Sequence, residues 1–207
     1  MSMISFPFTA KWLGHVQEFA DTPWCCDAFD ALFVGHGWAT PSENGEPAVG
    51  WTDHWPLGDP ADEVWHVVLG EYPRCADTRD RSVVCDDPKC HDDSFLVLPL
   101  AYSAIGVRDA GTGLPPSPEE LWGTKLPSQA VLHPDAREED FTALYDDAAR
   151  LLRTRLGDPL PRPRPPHDPD RHVSWEHGKS LVTLFRGENL YNYSLDDWIG
   201  IDIRPVS

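Results

Sequence analysis

The sequence has no long hydrophobic run. Its longest nearly apolar stretch, Ser94 to Tyr102, is far short of the roughly 18 residues a membrane-spanning helix requires. Met1 to Trp12 carries one Lys and no apolar core, so it does not read as a secretory leader, and the expected location is the cytoplasm. Basic residues are scarce: 17 Lys and Arg stand against 34 Asp and Glu, a formal net charge of −17. A surface of that sign repels phosphate, which argues against nucleic acid and anionic membranes as partners. Cysteine is also sparse. The five residues are odd in number, and Cys25 and Cys26 are adjacent, which does not resemble a disulfide framework and fits a reducing compartment. Several chemical signatures are missing. There is no Gly-x-Ser-x-Gly nucleophile elbow, no Gly-rich phosphate loop, no His-Glu-x-x-His and no EF-hand loop.

What is present is enough for a folded core. Hydrophobic residues make up 41% of the 207 positions, and nine Trp and eight Phe contribute large apolar area. The length suits one large domain or two small ones. Acid is unevenly spread: residues 1–105 hold 17 acids and 5 bases, whereas residues 106–207 hold 17 acids and 12 bases. A basic partner would therefore meet the first half more favourably.

Periodicity predicts an α+β fold. Trp12, Val16, Phe19 and Ala20 fall near helical spacing within residues 11–34. Residues 35–62 are punctuated by Gly and Pro and read as loop, with Trp38, Trp51 and Trp55 pinning it to the core. Glu63–Leu69 reads as a strand with Trp65, Val67 and Leu69 on one face. Arg81–Cys85 reads as a short strand, and Ser94–Tyr102 as a buried one in which Pro99 imposes an edge, a bulge or an early end. Residues 107–120 read as a linker or long loop between an acidic, Trp-rich mixed lobe (1–106) and a second lobe (121–207), with close packing into one domain as the alternative. Asp135–Leu156 is the clearest helix. Its acids lie early, its arginines lie late, and Gly157 is placed to stop it. A Pro-rich connector leads to an antiparallel β-meander: His172–Glu176, a turn at His177-Gly178, Ser180–Phe185, a turn at 187–189, Leu190–Leu195 and Trp198–Ile203.

The order helix, Leu156-Gly-Asp-Pro159, strand with Trp175, Gly turn and Leu181-Val-Thr-Leu184 resembles actinobacterial immunity-type proteins of polymorphic toxin systems. The resemblance covers about the C-terminal third. It implies a non-catalytic inhibitor that binds a toxin, and it carries over no catalytic residue.

Two readings of function follow. The first is a non-catalytic acidic binding protein, immunity- or antitoxin-like, that blocks a basic effector without any cofactor. Trp38, Trp51 and Trp55 would be its anchors, because Trp dominates interface hot spots, and Asp53, Asp86, Asp87, Asp92 and Asp93 would form a charged rim. The alternative is a zinc-binding protein or metal-dependent hydrolase built on Cys75, Cys85, Cys90 and His91, whose thiolates and imidazole suit tetrahedral zinc. Their spacing departs from the tight Cys pairs of zinc ribbons, and adjacent Cys90 and His91 converge on one ion only awkwardly. Two further sets offer chemistry. One is His36, Asp53, His54, His66, His91, Asp92 and Asp93 as acid–base or metal groups, for which packing and solvated loops are the competing account. The other is Cys25 or Cys26 with His36 as a thiol–imidazole pair, against which stands the ordinary account of small buried thiols. The sequence leaves the oligomeric state open.

Overall fold

The computed structural model describes residues 2–41, 48, 54–56, 66–70, 80, 82–84, 94–104, 130–161, 171–188 and 196–206. Among these, helices and one antiparallel sheet form an α+β fold. In chain order the elements are β1 (Ser2–Ser5), α1 (Ala10–Asp21), α2 (Cys26–Gly35), β2 (His54–Pro56), β3 (His66–Leu69), β4 (Leu96–Ala104), β5 (Val131–His133), α3 (Glu138–Leu156), β6 (Arg171–His177), β7 (Ser180–Glu188) and β8 (Asp196–Pro205). The sheet runs β2-β3-β4-β8-β7-β6, and β1 adds to β4 and carries β5 on its other side.

The expected C-terminal helix and meander are both present. Glu138, Glu139 and Asp140 occupy the first turn of α3 and Arg153 and Arg155 the last, so the charges complement the helix dipole. The Asp140 carboxylate reaches back to accept the Arg137 N–H at 2.8 Å, satisfying a donor that the helix start leaves open. At Gly157 (φ 87°) the chain turns into a region that β-carbon-bearing residues avoid, and the helix ends there. β6 and β7 are joined by the two-residue turn Gly178-Lys179, with His177 opposite Ser180 and Gly178 at φ 60°. The turn therefore falls one residue later than its sequence signal. β7 also continues through Gly187 and Glu188, which face Trp198 and Asp197 of β8, where sequence reading expects a turn. Cross-strand pairing with β8 overrides the local turn preference of Gly187. Leu190–Leu195, Trp65 and the 107–120 stretch lie outside the described residues.

β4 joins the two halves of the chain. Along one edge it pairs with β8 over its whole length, from Leu96 opposite Ile203 to Ala104 opposite Asp196. Its other edge is shared: β3 takes Leu96 and Val97, and β1 takes Ala101 to Ala104. The register shifts between Pro99 and Ala101, a bulge at the residue that has no N–H to give the ladder. Strands from both sides of residues 107–120 are thus hydrogen-bonded in one sheet, and their buried residues form one core cluster.

The strand expected at Arg81–Cys85 is not found over its described residues, 82–84, and Val83 and Val84 are exposed. Instead Asp80 accepts from both the backbone N–H and the hydroxyl of Ser82, a local turn that competes with extended pairing.

One face of the sheet carries the helices. Ser180 and Arg186 lie on the same side of β7, since alternate residues share a face. Ser180 accepts from Trp24 Nε1 at 2.9 Å and donates to Ala20 O at 2.7 Å, which ties the end of α1 to the sheet. Arg186 binds Glu138 and Thr142 of α3. Between these anchors Phe19, Phe29, Phe33, Phe141, Leu152 and Trp175 are almost fully buried. Each such side chain contributes about 2–3 kcal/mol of hydrophobic stabilisation. Trp175 also donates its indole N–H to Gly157 O at 2.9 Å, so its polar end is satisfied.

Candidate functional site

α1 and α2 are separated by only four residues and meet through aromatic side chains: Phe19 and Phe33 lie 5.8 Å apart, centroid to centroid. Two histidines enter this apolar corner. His15 falls on the buried stripe of α1, between Trp12 on one turn and Val16 and Phe19 on the next. His36 caps the C-terminal end of α2 with αR backbone. Glu18, three residues after His15, projects from the same side of α1, as i and i+3 positions do.

The three side chains converge on one atom. His15 Nδ1 lies 2.9 Å and His36 Nε2 3.0 Å from Glu18 Oε2. The three donor atoms all fall within 4.8 Å of one another. Trp38 closes the group. It stacks on the His36 ring at 4.3 Å and 17°, meets His15 edge to face at 4.8 Å, and rests on Phe19 and Phe33 beneath. Trp12 meets His15 at 5.2 Å from the other side. Exposure is graded: the side chain of His15 is 9% exposed, that of His36 28% and that of Glu18 49%. The cluster therefore has a buried wall and a mouth open to water.

Its electrostatics follow from that gradient. Burial lowers the pKa of His15, outweighing the hydrogen bond and negative charge of Glu18, which act the other way. His15 is thus neutral near pH 7 and gives its Nδ1 proton to Glu18 as a hydrogen bond. Burial also acts to raise Glu18, but the hydrogen bond from His15 and the neighbouring imidazoles outweigh it and hold its carboxyl below the ordinary range. With Nδ1 committed to Glu18, the other nitrogen of His15, Nε2, is buried and meets no hydrogen-bond partner among the described residues. Most buried polar atoms are paired, so an orphaned ring nitrogen beside a convergent donor set marks this corner out.

Of the residues singled out from sequence, Trp38 and His36 belong to this cluster. Trp38 is half-buried and packed against the core, as the loop-pinning reading expects, and only part of its surface is left for a partner. The backbone of Trp55 and His54 lies on β2 and that of His66 on β3, with Pro56 rather than His54 opposite His66. Cys25 and Cys26 are buried, and His36 directs Nε2 to Glu18. Trp51, Asp53, Cys75, Cys85, Asp86, Asp87, Cys90, His91, Asp92 and Asp93 lie outside the described residues. Sequence reading passed over His15 and Glu18. The available signal was His15-x-x-Glu18 inside an amphipathic segment, with the imidazole on its apolar side.

Six acids of the C-terminal half pair with arginines instead. Asp146 binds Arg171, Asp147 binds Arg150, Asp158 binds Arg153 and Asp202 binds Arg204. Glu138 and Asp197 share Arg186. No protein-family model matches the chain, nor does any curated protein or solved structure.

Proposed function

We propose that this chain is a non-catalytic binding protein that docks a basic protein, in the manner of an immunity protein or antitoxin that neutralises a cationic effector. The observation that carries the reading is charge: carboxylates outnumber cationic side chains two to one, for a net −17. The way the described arginines are used adds to it. Arg150, Arg153, Arg171, Arg186 and Arg204 are each tied to an acid within the chain. These five cations are thereby neutralised locally, and the field felt at a distance is that of the excess carboxylates. Such a field speeds encounter with a cationic surface and turns away anionic ones. The amino-terminal half has the larger net negative charge and is the docking side in this reading. The part of Trp38 left exposed supplies an apolar contact there, with the acidic residues 43–93 as the rim.

The test is co-expression with the basic products of the genes adjacent to that of this chain. The reading expects one of them to impair growth alone, to be neutralised by this chain and to co-purify with it at a fixed ratio. The affinity should fall steeply as salt rises from about 0.05 M to about 0.5 M, where the Debye length shrinks from above 10 Å to a few ångström. Absence of neutralisation, or an affinity indifferent to salt, contradicts it.

A further inference from the structure

We infer that His15, Glu18 and His36 form a binding site for a divalent transition-metal ion of the zinc class, which clamps α1 to the C-terminal end of α2. This inference is independent of the docking function: its ligands are other residues, and Trp38 enters here only through its packing.

Three observations carry it. The first is donor chemistry. Two imidazole nitrogens and one carboxylate oxygen make a borderline set that suits Zn2+ or Co2+ better than Ca2+ or Mg2+, which prefer all-oxygen shells. The second is distance. Ligand bonds of about 2.0–2.1 Å place the donors of a tetrahedral ion about 3.4 Å apart. Here the nitrogen–oxygen separations are 2.9 and 3.0 Å, with all three atoms within 4.8 Å of one another. A shift of a few tenths of an ångström in Glu18, the most exposed of the three, opens the space that the ion needs. Metal entry moves the proton of each imidazole from the nitrogen that faces Glu18 to its other ring nitrogen, and puts the ion where those hydrogen bonds were.

The third observation is the orphaned Nε2 of His15, buried with no hydrogen-bond partner among the described residues. When Nδ1 holds the proton, Nε2 is a lone pair that needs a donor in a site built of rings. When Nδ1 binds a metal, the ring proton moves to Nε2 and the buried atom becomes an N–H. Trp12 and Trp38 both stand roughly edge to face with this imidazole, at 66° and 76°. A metal on Nδ1 thus turns the buried Nε2 from a lone pair into an N–H, a donor that a neighbouring aromatic ring can accept weakly.

The supports are rigid. His15 and Glu18 stand one turn apart on α1, and Trp38, itself packed on Phe19 and Phe33, holds the His36 ring by stacking. Three protein donors leave a fourth position, which faces the open side of the cluster and takes water.

Cobalt(II) is the probe, added to the whole chain freed of metal by chelation. The expected result is uptake of one ion with visible d–d bands of nitrogen and oxygen ligation and no thiolate-to-cobalt charge-transfer band. Zinc should displace the cobalt and raise the melting temperature. Glu18→Gln and His36→Ala should each weaken uptake about tenfold or more, comparable to or larger than the loss of an outer-shell partner in known sites. Circular dichroism of the metal-free variants checks that they fold. A chain with Cys75→Ser, Cys85→Ser and Cys90→Ser should bind as before. No uptake, a dominant thiolate band, or uptake that survives Glu18→Gln and His36→Ala but is lost in the Cys variant would overturn the inference.

Discussion

Asp202 and Glu18 are both carboxylates set against apolar side chains, and the protein satisfies them in opposite ways. Asp202, on central strand β8, is 1% exposed, and both its oxygens are taken by the fork of Arg204 at 2.7 and 2.8 Å. Arg204 in turn lies over the Phe95 ring. That pair is closed: a bidentate contact uses the geometry of both partners. Glu18, at the α1–α2 corner, is half exposed and gathers two imidazoles onto one oxygen. That arrangement is open. The sheet uses its buried charge to fix the scaffold, while the helical corner keeps a convergent donor set within reach of solvent. The contrast separates polar residues that hold a fold from polar residues that can take a ligand.

Removing a partner from the closed pair should have the largest effect. Asp202→Ala removes the carboxylate that the Arg204 fork grips, and loss of one member of a buried pair costs about 3–5 kcal/mol. The lower end is expected, because Arg204 is 21% exposed and can turn toward water. Urea denaturation measures it. A loss below about 1 kcal/mol would mean that the pair is as dispensable as a surface one, and the contrast with Glu18 would fail.

A smaller effect tests how tightly the same strand is packed. A β-carbon on Gly200 would approach Phe185 Cζ to 2.9 Å and Val97 Cγ1 to 3.1 Å. Phe185 faces Gly200 across the β7–β8 pair and fills the space left by the missing side chain. Gly200→Ala should therefore destabilise by about 1–3 kcal/mol through overpacking, visible as a lower melting temperature. An unchanged or raised melting temperature would show that the ring has room to move.

The smallest effect belongs to the open corner and appears only with pH. In the metal-free chain His15 has a folded pKa below its unfolded value near 6.5, so the unfolded chain binds the proton more readily. Stability should fall as pH drops from about 6.5 toward the folded pKa, and level off below it. Glu18 acts in the same direction lower down: its contribution is present above its unfolded value near 4.5 and is lost as pH falls through its lowered folded pKa. Glu18, His36 and Lys11 are the charged groups that act on His15, and the exposure of Glu18 keeps the combined effect within about 1 kcal/mol. The denaturation midpoint of the chain should fall relative to that of His15→Phe as pH drops from 7 to 5. Parallel curves would show that burial of His15 does not govern its proton.

The scaffold was more legible in the sequence than the site. α3 is long enough to show its full period, and Arg155, Gly157 and the early acids mark its ends. β6 and β7 flank a Gly turn that sets their register. β1 and β5 were not legible, because four and three residues carry no readable alternation and exist as strands only through pairing with β4 and with each other. Val83 and Val84 read as strand by composition alone, and the Asp80–Ser82 turn took precedence. The site itself was hidden for a geometric reason. His15 looks like a core residue on an apolar stripe and His36 like a loop residue. Only the fold of α1 back against α2 brings both to Glu18.

The most direct test is zinc titration of the isotopically labelled, metal-free chain, followed through the histidine ring and backbone amide resonances. The account predicts that the rings of His15 and His36 and the amides around Glu18 and Trp38 shift together and saturate at one equivalent. Ser174, Thr183 and Asp202 should keep their positions. Rings at His15 and His36 that ignore zinc, while other signals respond, would contradict it.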